Sequence, residues 1–407
     1  MTPPAHTPLS NRRVVLCVTG SIAAYKSAYI ASDLVKLGAR VDVVMTESAQ
    51  RFVGSATFAA LSHNPVVTSL WEQNSEISID HVALGTKADC IVIAPVTANS
   101  IAKLALGITD DAVTATVLAS SAPLVLAPGM DADMFGSAST QNNVATLRER
   151  RAIVVGPESG RLASGLVGEG RMSDPIDIVD AVRTAIGVRY GDFVGRRVVV
   201  TAGGTREPID PVRVITNRST GKMGYAVAKA ARDRGAQTIL ITSATGIRAP
   251  WGVETIKVNT VDEMRAATLP SAASADVLVM AAAISDFRPS VFTDEKIKKR
   301  GGKGTTMELE EVEDWMPQAV GPRLVKVAFA AETGDAATKG SAKMTAKGAT
   351  LTVANDVTEP GSGFGTDTNR VDIVSVNGSI EPLPLMSKYD VGNAILDRVK
   401  PHLVDIE

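Results

Sequence analysis

Cysteine is nearly missing from this chain of 407 residues, with two in all. Cys17 and Cys90 each lie inside an apolar run, so neither a disulfide framework nor a four-thiolate zinc site can be built, and a reducing cytoplasm is the expected compartment. Aromatic residues make up 4% and histidines number four, which leaves few groups for stacking on bases or binding metals. Charge of one sign is lacking too: 42 Lys and Arg against 44 Asp and Glu give a net charge of −2, which excludes a global basic field for nucleic acid or an anionic membrane. No apolar run approaches the roughly 20 residues that span a bilayer. The first residues, Met1 to Arg13, have no apolar centre of the kind a signal peptide carries and read as a disordered lead-in over 1–12. What remains is 45% hydrophobic and rich in Ala, Val and Gly, the material of parallel sheets covered by close-packed helices. At about 150 residues per domain the length suggests two or three domains.

The order of apolar runs sets the fold class as α/β. Val14 to Val18 reads as a strand, Gly20-Ser21 as a turn, Ile22 to Leu37 as an amphipathic helix capped by Gly38, and Val41 to Met45 as the next strand. The same grammar returns in Arg197 to Thr201, Gly203-Gly204, Thr220 to Arg234, Gly235 and Thr238 to Thr242. Ala88 to Ala94 likewise resembles Ala275 to Ala281, but at a different offset, so convergent use of the βαβ unit explains the likeness better than recent duplication. Two doubly wound, Rossmann-like parallel-sheet domains are expected, over 13–187 and 196–407, joined by a glycine-rich linker at 188–195. In such sheets ligands sit beyond the carboxyl ends of the strands, so chemistry is sought after Val18, Ala94, Ala127, Thr201, Ala281 and Phe329.

In the first domain three strand ends carry hydroxyls or amides: Gly20-Ser21-Ile22, Thr46-Glu47-Ser48 and Pro95-Val96-Thr97-Ala98-Asn99. Backbone N–H groups at a helix start suit a phosphate, and the same side chains equally suit plain helix caps. His81, between Asp80 and Val82, is the one histidine beside a predicted core strand, fit for acid–base work or for a structural hydrogen bond. Gly20 to Lys26, Asp80 to Gly85, Ala94 to Asn99, Gly107 to Asp111 and Ala127 to Met130, in that order, resemble the homo-oligomeric flavin-containing cysteine decarboxylases. The resemblance covers about 13–175 and implies a flavodoxin-like domain. It also implies FMN held between subunits of a trimer by Gly20, Ser21, Ile22, Thr46, Pro95, Thr97, Asn99 and Met130, with His81 as the active-site histidine. A flavin makes chemical sense: oxidising the thiol carbon of an acylated cysteine supplies the electron sink that loss of CO2 otherwise lacks. Two positions depart from the family. Asp131 stands where an asparagine is expected to bind the substrate carboxylate, and Ser164 stands at the place of a lid cysteine that donates a proton. A hydroxyl is a far weaker acid than a thiol.

The second domain has no Gly-x-Gly-x-x-Gly spacing, which disfavours an ordinary dehydrogenase. Gly203 to Arg213 is proline-rich, and the stretch runs on through Asn217 and Ser219 to Gly224 into a helix, a combination suited to a phosphorylated substrate or to a long structural loop. Glu295 to Gly304 packs five cations into ten positions, readable as a solvated loop, a nucleic-acid patch, a localisation-like signal or a flap over phosphates. Asp286, delivered just upstream, favours the flap. Gly203 to Arg213, Asn217, Ser219 to Gly224, Ala282 to Asp286, Glu295 to Lys299, Phe329 to Thr333 and Ala354 to Asp356 resemble phosphopantothenate-cysteine ligase over about 195–400. Decarboxylase followed by ligase is the arrangement of the bacterial bifunctional proteins of coenzyme A biosynthesis.

That resemblance implies CTP and Mg²⁺, an acyl-cytidylate of 4′-phosphopantothenate, and cysteine as the attacking amine. It gives catalytic roles to Asn217 and Lys296, and places Arg206, Ala282, Ala283, Asp286, Phe329, Lys343 and Lys347 at the nucleotide or substrate. Only Asp314 of Glu311 to Trp315 fits the family's next element, so no base contacts are assigned there, and no metal ligands are assigned anywhere. A homo-oligomer is implied, trimeric through the first domain and dimeric through the second, up to a dodecamer. The rival reading, motivated by Asp131 and Ser164, keeps the ligase and makes the first domain an FMN-binding assembly or regulatory module.

Overall fold

The computed structural model describes residues 7–71, 80–298, 306–332 and 344–404. The chain forms two compact units, Thr7–Arg189 and a second that begins at Tyr190.

In the first unit six parallel strands are β1 (Arg13–Val18), β2 (Arg40–Met45), β3 (Val66–Val67), β4 (Cys90–Val96), β5 (Leu124–Pro128) and β6 (Ile153–Val154), in the spatial order β3-β2-β1-β4-β5-β6. Val14 to Val18 and Cys90 to Val96 are buried throughout, because helices cover both sheet faces and no residue of a central strand needs to be polar. Val15, Cys17, Ile91, Ile93 and Leu126 form one side of a core closed by Ile101, Val113, Phe135 and Leu147 from the helices. Gly38 ends the first long helix, Lys26–Lys36, at φ +90°, a conformation that glycine adopts without a Cβ penalty. The strand order reverses between β1 and β4, so a crevice opens beyond their carboxyl ends. Outside the sheet, β7 (Glu158–Arg161) and β8 (Val167–Arg171) pair as an antiparallel hairpin, and the helix Pro175–Tyr190 follows.

The second unit repeats this order. Its strands are β9 (Arg197–Ala202), β10 (Arg206–Pro208), β11 (Val214–Thr216), β12 (Gln237–Thr242), β13 (Glu254–Lys257), β14 (Val277–Met280), β15 (Phe287–Pro289), β16 (Leu309–Glu311), β17 (Val325–Glu332), β18 (Leu351–Asp356), β19 (Thr368–Asn369), β20 (Asp372–Ser375) and β21 (Ile380–Pro382). The main sheet runs β13-β12-β9-β14-β17-β18-β20-β21 and is parallel from β13 to β18. Its last two strands are antiparallel, which makes the sheet mixed where a purely parallel one is expected from sequence. No helix lies between β18 and β20, and a parallel return needs such a crossover. The helix Lys222–Asp233 packs Tyr225, Val227 and Ala231 into a core shared with Val391, Ile395 and Val399 of the helix Lys388–Val399. Gly392 permits this close packing, since a Cβ there would lie 3.1 Å from Val227 Cα.

Candidate active sites

At the reversal point of the first sheet a cavity of about 540 Å³ is lined by Gly20, Ser21, Ile22, Phe52, Thr97 and Met130 among others. The ends of β1 and β4 are stitched together by Thr19, whose Oγ1 donates to Pro95 O at 2.8 Å and accepts from Thr97 N at 3.1 Å. Gly20 is tightly enclosed: a Cβ there would collide with the Ser48 side chain. The hydroxyls of Ser21, Thr46 and Thr97 accept the N–H groups of Ala23, Ala49 and Ser100 at 3.4, 3.2 and 3.3 Å, so all three cap their own helices. Ser21 and Thr97 line the cavity as well. Lys26 borders it, its Nζ donating to Met172 O at 3.1 Å and lying 3.6 Å from Asp174. A helix start at one end and Ile22, Phe52, Met130 and Met134 along the wall fit a ligand with a phosphate and a flat apolar ring.

The β7–β8 hairpin lies against this cavity. Met130 N donates to Gly170 O at 3.0 Å, and a Cβ on Gly170 would strike Met130 O, so β8 docks directly on the segment after β5. The hairpin tip brings Ser164 Oγ to within 2.5 Å of Asp131 Oδ2, where it donates a hydrogen bond. Asp131 Oδ1 accepts from Asp133 N at 3.3 Å and caps the short helix Ala132–Gly136. Both cysteines lie elsewhere. Cys17 and Cys90 are fully buried in β1 and β4, where burial and then nearby carboxylates push their thiols up, Cys90 to about 12.

The cavity of the second unit, about 500 Å³, opens beyond the ends of β14, β17 and β18, beside the start of the helix Lys222–Asp233. Its floor is a woven backbone: Gly203, at φ +91°, accepts Ala283 N at 2.8 Å, and Thr205 Oγ1 accepts Ser285 N at 2.9 Å. Asn217 Nδ2 donates to Ala283 O and Ile284 O at 3.2 and 3.1 Å. The amide nitrogen is thus committed to the protein, and its oxygen is the atom left for a ligand. Gly221, with no side-chain cap, begins the helix Lys222–Asp233 at the cavity wall, so backbone N–H groups and the helix dipole favour an anion there. Asp286, Phe329 and Lys347 line the same space, and Lys347 Nζ lies 3.0 Å from Asp314.

Residues 3–187 match the family model described as flavoprotein, and residues 193–403 match the one described as DNA/pantothenate metabolism flavoprotein C-terminal domain. The coenzyme A biosynthesis bifunctional protein of Bacillus subtilis is 42% identical over 395 residues, covering 96% of this chain and 97% of its own. The chain belongs to the family of coenzyme A biosynthesis bifunctional proteins. The Mycolicibacterium smegmatis member is 41% identical over 97% of this chain and 98% of its own, and the Escherichia coli member 37% identical over 96% and 97%. Within this family the chain is a two-part protein of coenzyme A biosynthesis, a flavoprotein unit followed by a ligase unit.

Of the family-implied residues, Gly20, Ser21, Ile22, Thr97, Met130, Asp131 and Ser164 meet around the first cavity. Pro95 is buried and Asn99 exposed, and neither lines it, nor does Thr46. His81, half-buried on the helix Asp80–Lys87, is not among the lining residues either. Around the second cavity stand Asn217, Ala282, Ala283, Asp286, Phe329 and Lys347. Arg206 instead donates to Thr245 Oγ1 at 2.8 Å, away from the lining. Lys296 is exposed at the base of the basic run, where Ile297 N donates to Asp210 at 3.2 Å and Ile297 O accepts from Arg213 at 2.6 Å. Lys343 and the rest of that run from 299 lie outside the described residues. Sequence reasoning missed Lys388, which lines the cavity, is buried, and binds Gly363 O, Thr366 and Thr368 O. A lone lysine after Met386-Ser387 carries no pattern that marks it. Glu313, Asp314 and Trp315, to which no base contacts are assigned from sequence, also stand in the wall.

Proposed function

We propose that the two cavities carry out consecutive reactions, ligation of cysteine to 4′-phosphopantothenate in the second unit and decarboxylation of the product to 4′-phosphopantetheine in the first. What supports this most directly is the pairing, in one member of the family, of an apolar cavity starting at a helix with a second cavity built on Asn217, Asp286 and an uncapped helix N-terminus. In the second unit CTP is the activating nucleotide. Turning the carboxylate into an acyl-cytidylate gives it a leaving group that cysteine's amine can displace. Asn217 offers its amide oxygen to that intermediate, the backbone from Ala282 to Asp286 shapes the nucleotide site, and Lys347 and Lys343 supply positive charge. Lys296 neutralises charge at the α-phosphate when the basic run closes. Among the described residues no three His, Cys, Asp or Glu side chains converge, so Mg²⁺ would be held mainly by phosphate oxygens with one or two carboxylates such as Asp286.

In the first unit Gly20 to Ala23 would hold the phosphate of FMN, and Ile22, Thr97 and Met130 its ring. The flavin supplies a reversible oxidation of the substrate thiol. The chain's own residues orient the substrate beneath the β7–β8 hairpin and exclude water. His81 serves this site from a neighbouring copy in a trimer, a reading supported by its absence from the lining in its own copy and by exposed Ile22, Tyr25 and Tyr29 on the same unit. No helix among the described residues is long and apolar enough to cross a membrane, and a cytoplasmic setting fits the buried free thiols. The test is to incubate the purified protein with 4′-phosphopantothenate, cysteine, CTP and Mg²⁺ while following pyrophosphate, CO2, product mass and the flavin spectrum. Pyrophosphate and CO2 in equal amounts are expected. Accumulation of phosphopantothenoylcysteine on a flavin-bound protein without CO2 makes the first unit a binding module, and a colourless protein that releases no pyrophosphate sinks the reading altogether.

A further inference from the structure

A substrate that loses CO2 in the first unit brings its carboxylate into the cavity, and that charge needs a partner on the wall. Asp131, at the place of the expected asparagine, is not that partner: its carboxyl oxygens accept hydrogen bonds from Ser164 Oγ and Asp133 N, and a carboxylate so held repels a second one. The hydroxyls of Ser21, Tyr25, Thr97 and Ser164 also line the cavity, but they are neutral. Three lining side chains are cationic, Lys26, Arg161 and Arg171. Lys26 is engaged by Met172 O and Asp174. Arg161 and Arg171 make no ion pair and no side-chain hydrogen bond with the described residues. Glu158 stands opposite Arg171 in the hairpin register, yet it accepts from Ser173 Oγ at 3.0 Å. From the far end of β8 the Arg171 side chain reaches back along the hairpin. Its Nε lies 3.6 Å, and its Cζ 3.9 Å, from where a Cβ on Gly160 would stand, beside the residue that precedes Arg161.

We propose that Arg161 and Arg171 of the β7–β8 hairpin bind the carboxylate of phosphopantothenoylcysteine, in place of the asparagine that Asp131 replaces. This rests on the decarboxylase reading above. A guanidinium fork matches the two oxygens of a carboxylate, and both groups are free to turn to it. Two cations without counter-ions on one wall also favour an anion between them. The interaction is one of substrate binding. CO2 departs as a neutral molecule, so 4′-phosphopantetheine offers the arginines nothing at that position, and the site prefers substrate to product. Asp131, bonded to Ser164, keeps the hairpin tip beside the segment after β5 and leaves the arginines to take the charge.

The experiment uses the FMN-loaded full chain and its variants Arg161→Gln, Arg171→Gln and Arg161→Lys. It measures KM for phosphopantothenoylcysteine by CO2 release, and the inhibition constant of 4′-phosphopantetheine, which has the same phosphate and thiol and lacks only the carboxylate. Both arginines are exposed, so the substitutions leave the core intact, and the flavin spectrum of each variant checks this. Each glutamine variant is expected to raise KM at least ~10-fold, with the inhibition constant within about twofold of wild type and the FMN content unchanged. Arg161→Lys keeps the charge without the fork and should fall between wild type and Arg161→Gln. An unchanged KM in either glutamine variant overturns the pair. A parallel rise in KM and in the product's inhibition constant also overturns it, by assigning the arginines to the phosphate or to the hairpin's shape, and loss of FMN does so by assigning them to the flavin. In all these cases the wild type still decarboxylates. A flavin-loaded wild type that releases no CO2 overturns the decarboxylase reading and the arginine site with it.

Discussion

Lys388 is a cation at the first position of a helix, where the dipole disfavours it, and it is nonetheless 5% exposed. Its ammonium donates to Gly363 O at 2.9 Å, to Thr368 O and Thr366 Oγ1 at 3.1 Å each, and to Thr366 O, tying the loop before β19 to the helix. Burial, and then the charge of Lys222, pull its pKa down to about 8. Because Gly363 and Phe364 line the second cavity, Lys388→Met should loosen that wall, costing about 3 kcal/mol through stranded carbonyls. CTP affinity should fall roughly tenfold while FMN content stays unchanged, as read by thermal melting and calorimetric titration. Asp192 shows the opposite electrostatics. Burial opposes its charge, but hydrogen bonds from Arg234 at 2.6 Å and Lys400 at 3.0 Å prevail and hold it at about 2. A carboxyl lowered in the folded state stabilises it above the unfolded value of about 3.9, and that gain is lost as pH falls from there towards 2. Asp192 is about one-third exposed, so Asp192→Asn should cost no more than about 1 kcal/mol at pH 7. Melting curves of the two proteins should converge near pH 2; a constant gap across pH would refute the ion-pair account.

Among the elements, the β7–β8 hairpin has the most exact fit to its neighbour. Gly170→Ala places a methyl against Met130 O, which cannot yield because it belongs to the segment that follows β5. The hairpin should lift, and CO2 release should fall at least tenfold while pyrophosphate release in the same sample is unaffected. Equal loss of both would mean a general folding defect. The hairpin itself is illegible in the sequence, because Glu158–Arg161 and Val167–Arg171 contain three glycines between them and alternate no apolar residues. The buried strands are legible for the opposite reason. Val14 to Val18 and Val277 to Met280 are continuous apolar runs, and Gly38 and Gly235 both take the left-handed conformation expected of helix caps. Three-residue strands such as Arg206–Pro208 and Val214–Thr216, joined through a segment holding Pro211, are too short to show a period, so they read as loop. Strand ends led to Gly20, Thr97 and Asp286, whereas Asn217 came from the family resemblance. Lys388 stayed hidden because its partners at 363–368 come from a loop whose path no local pattern encodes.

For the molecule as a whole, each unit has its own sheet, its own core and its own cavity beyond the carboxyl ends of its strands. The first unit also leaves large apolar side chains in water, Ile22 and Tyr29 each at least 60% exposed and Val82, next to His81, at 41%. Surface of this kind is costly for a lone copy and ordinary for a subunit. On the trimeric reading proposed above, His81 and the cavity-lining Gly20 would belong to one site drawn from two copies, although each copy carries both residues. His81→Asn removes one half of that site, and Gly20→Ala removes the other by driving a methyl into Ser48. Each variant alone should lose decarboxylation at least tenfold. Co-expressed, the two should assemble mixed oligomers in which some sites pair an intact Gly20 with an intact His81, and CO2 release should return in part. The same proteins purified separately and mixed without subunit exchange should stay inactive. No recovery in co-expressed oligomers of verified mixed composition would mean that His81 works within its own copy or has no part in the reaction.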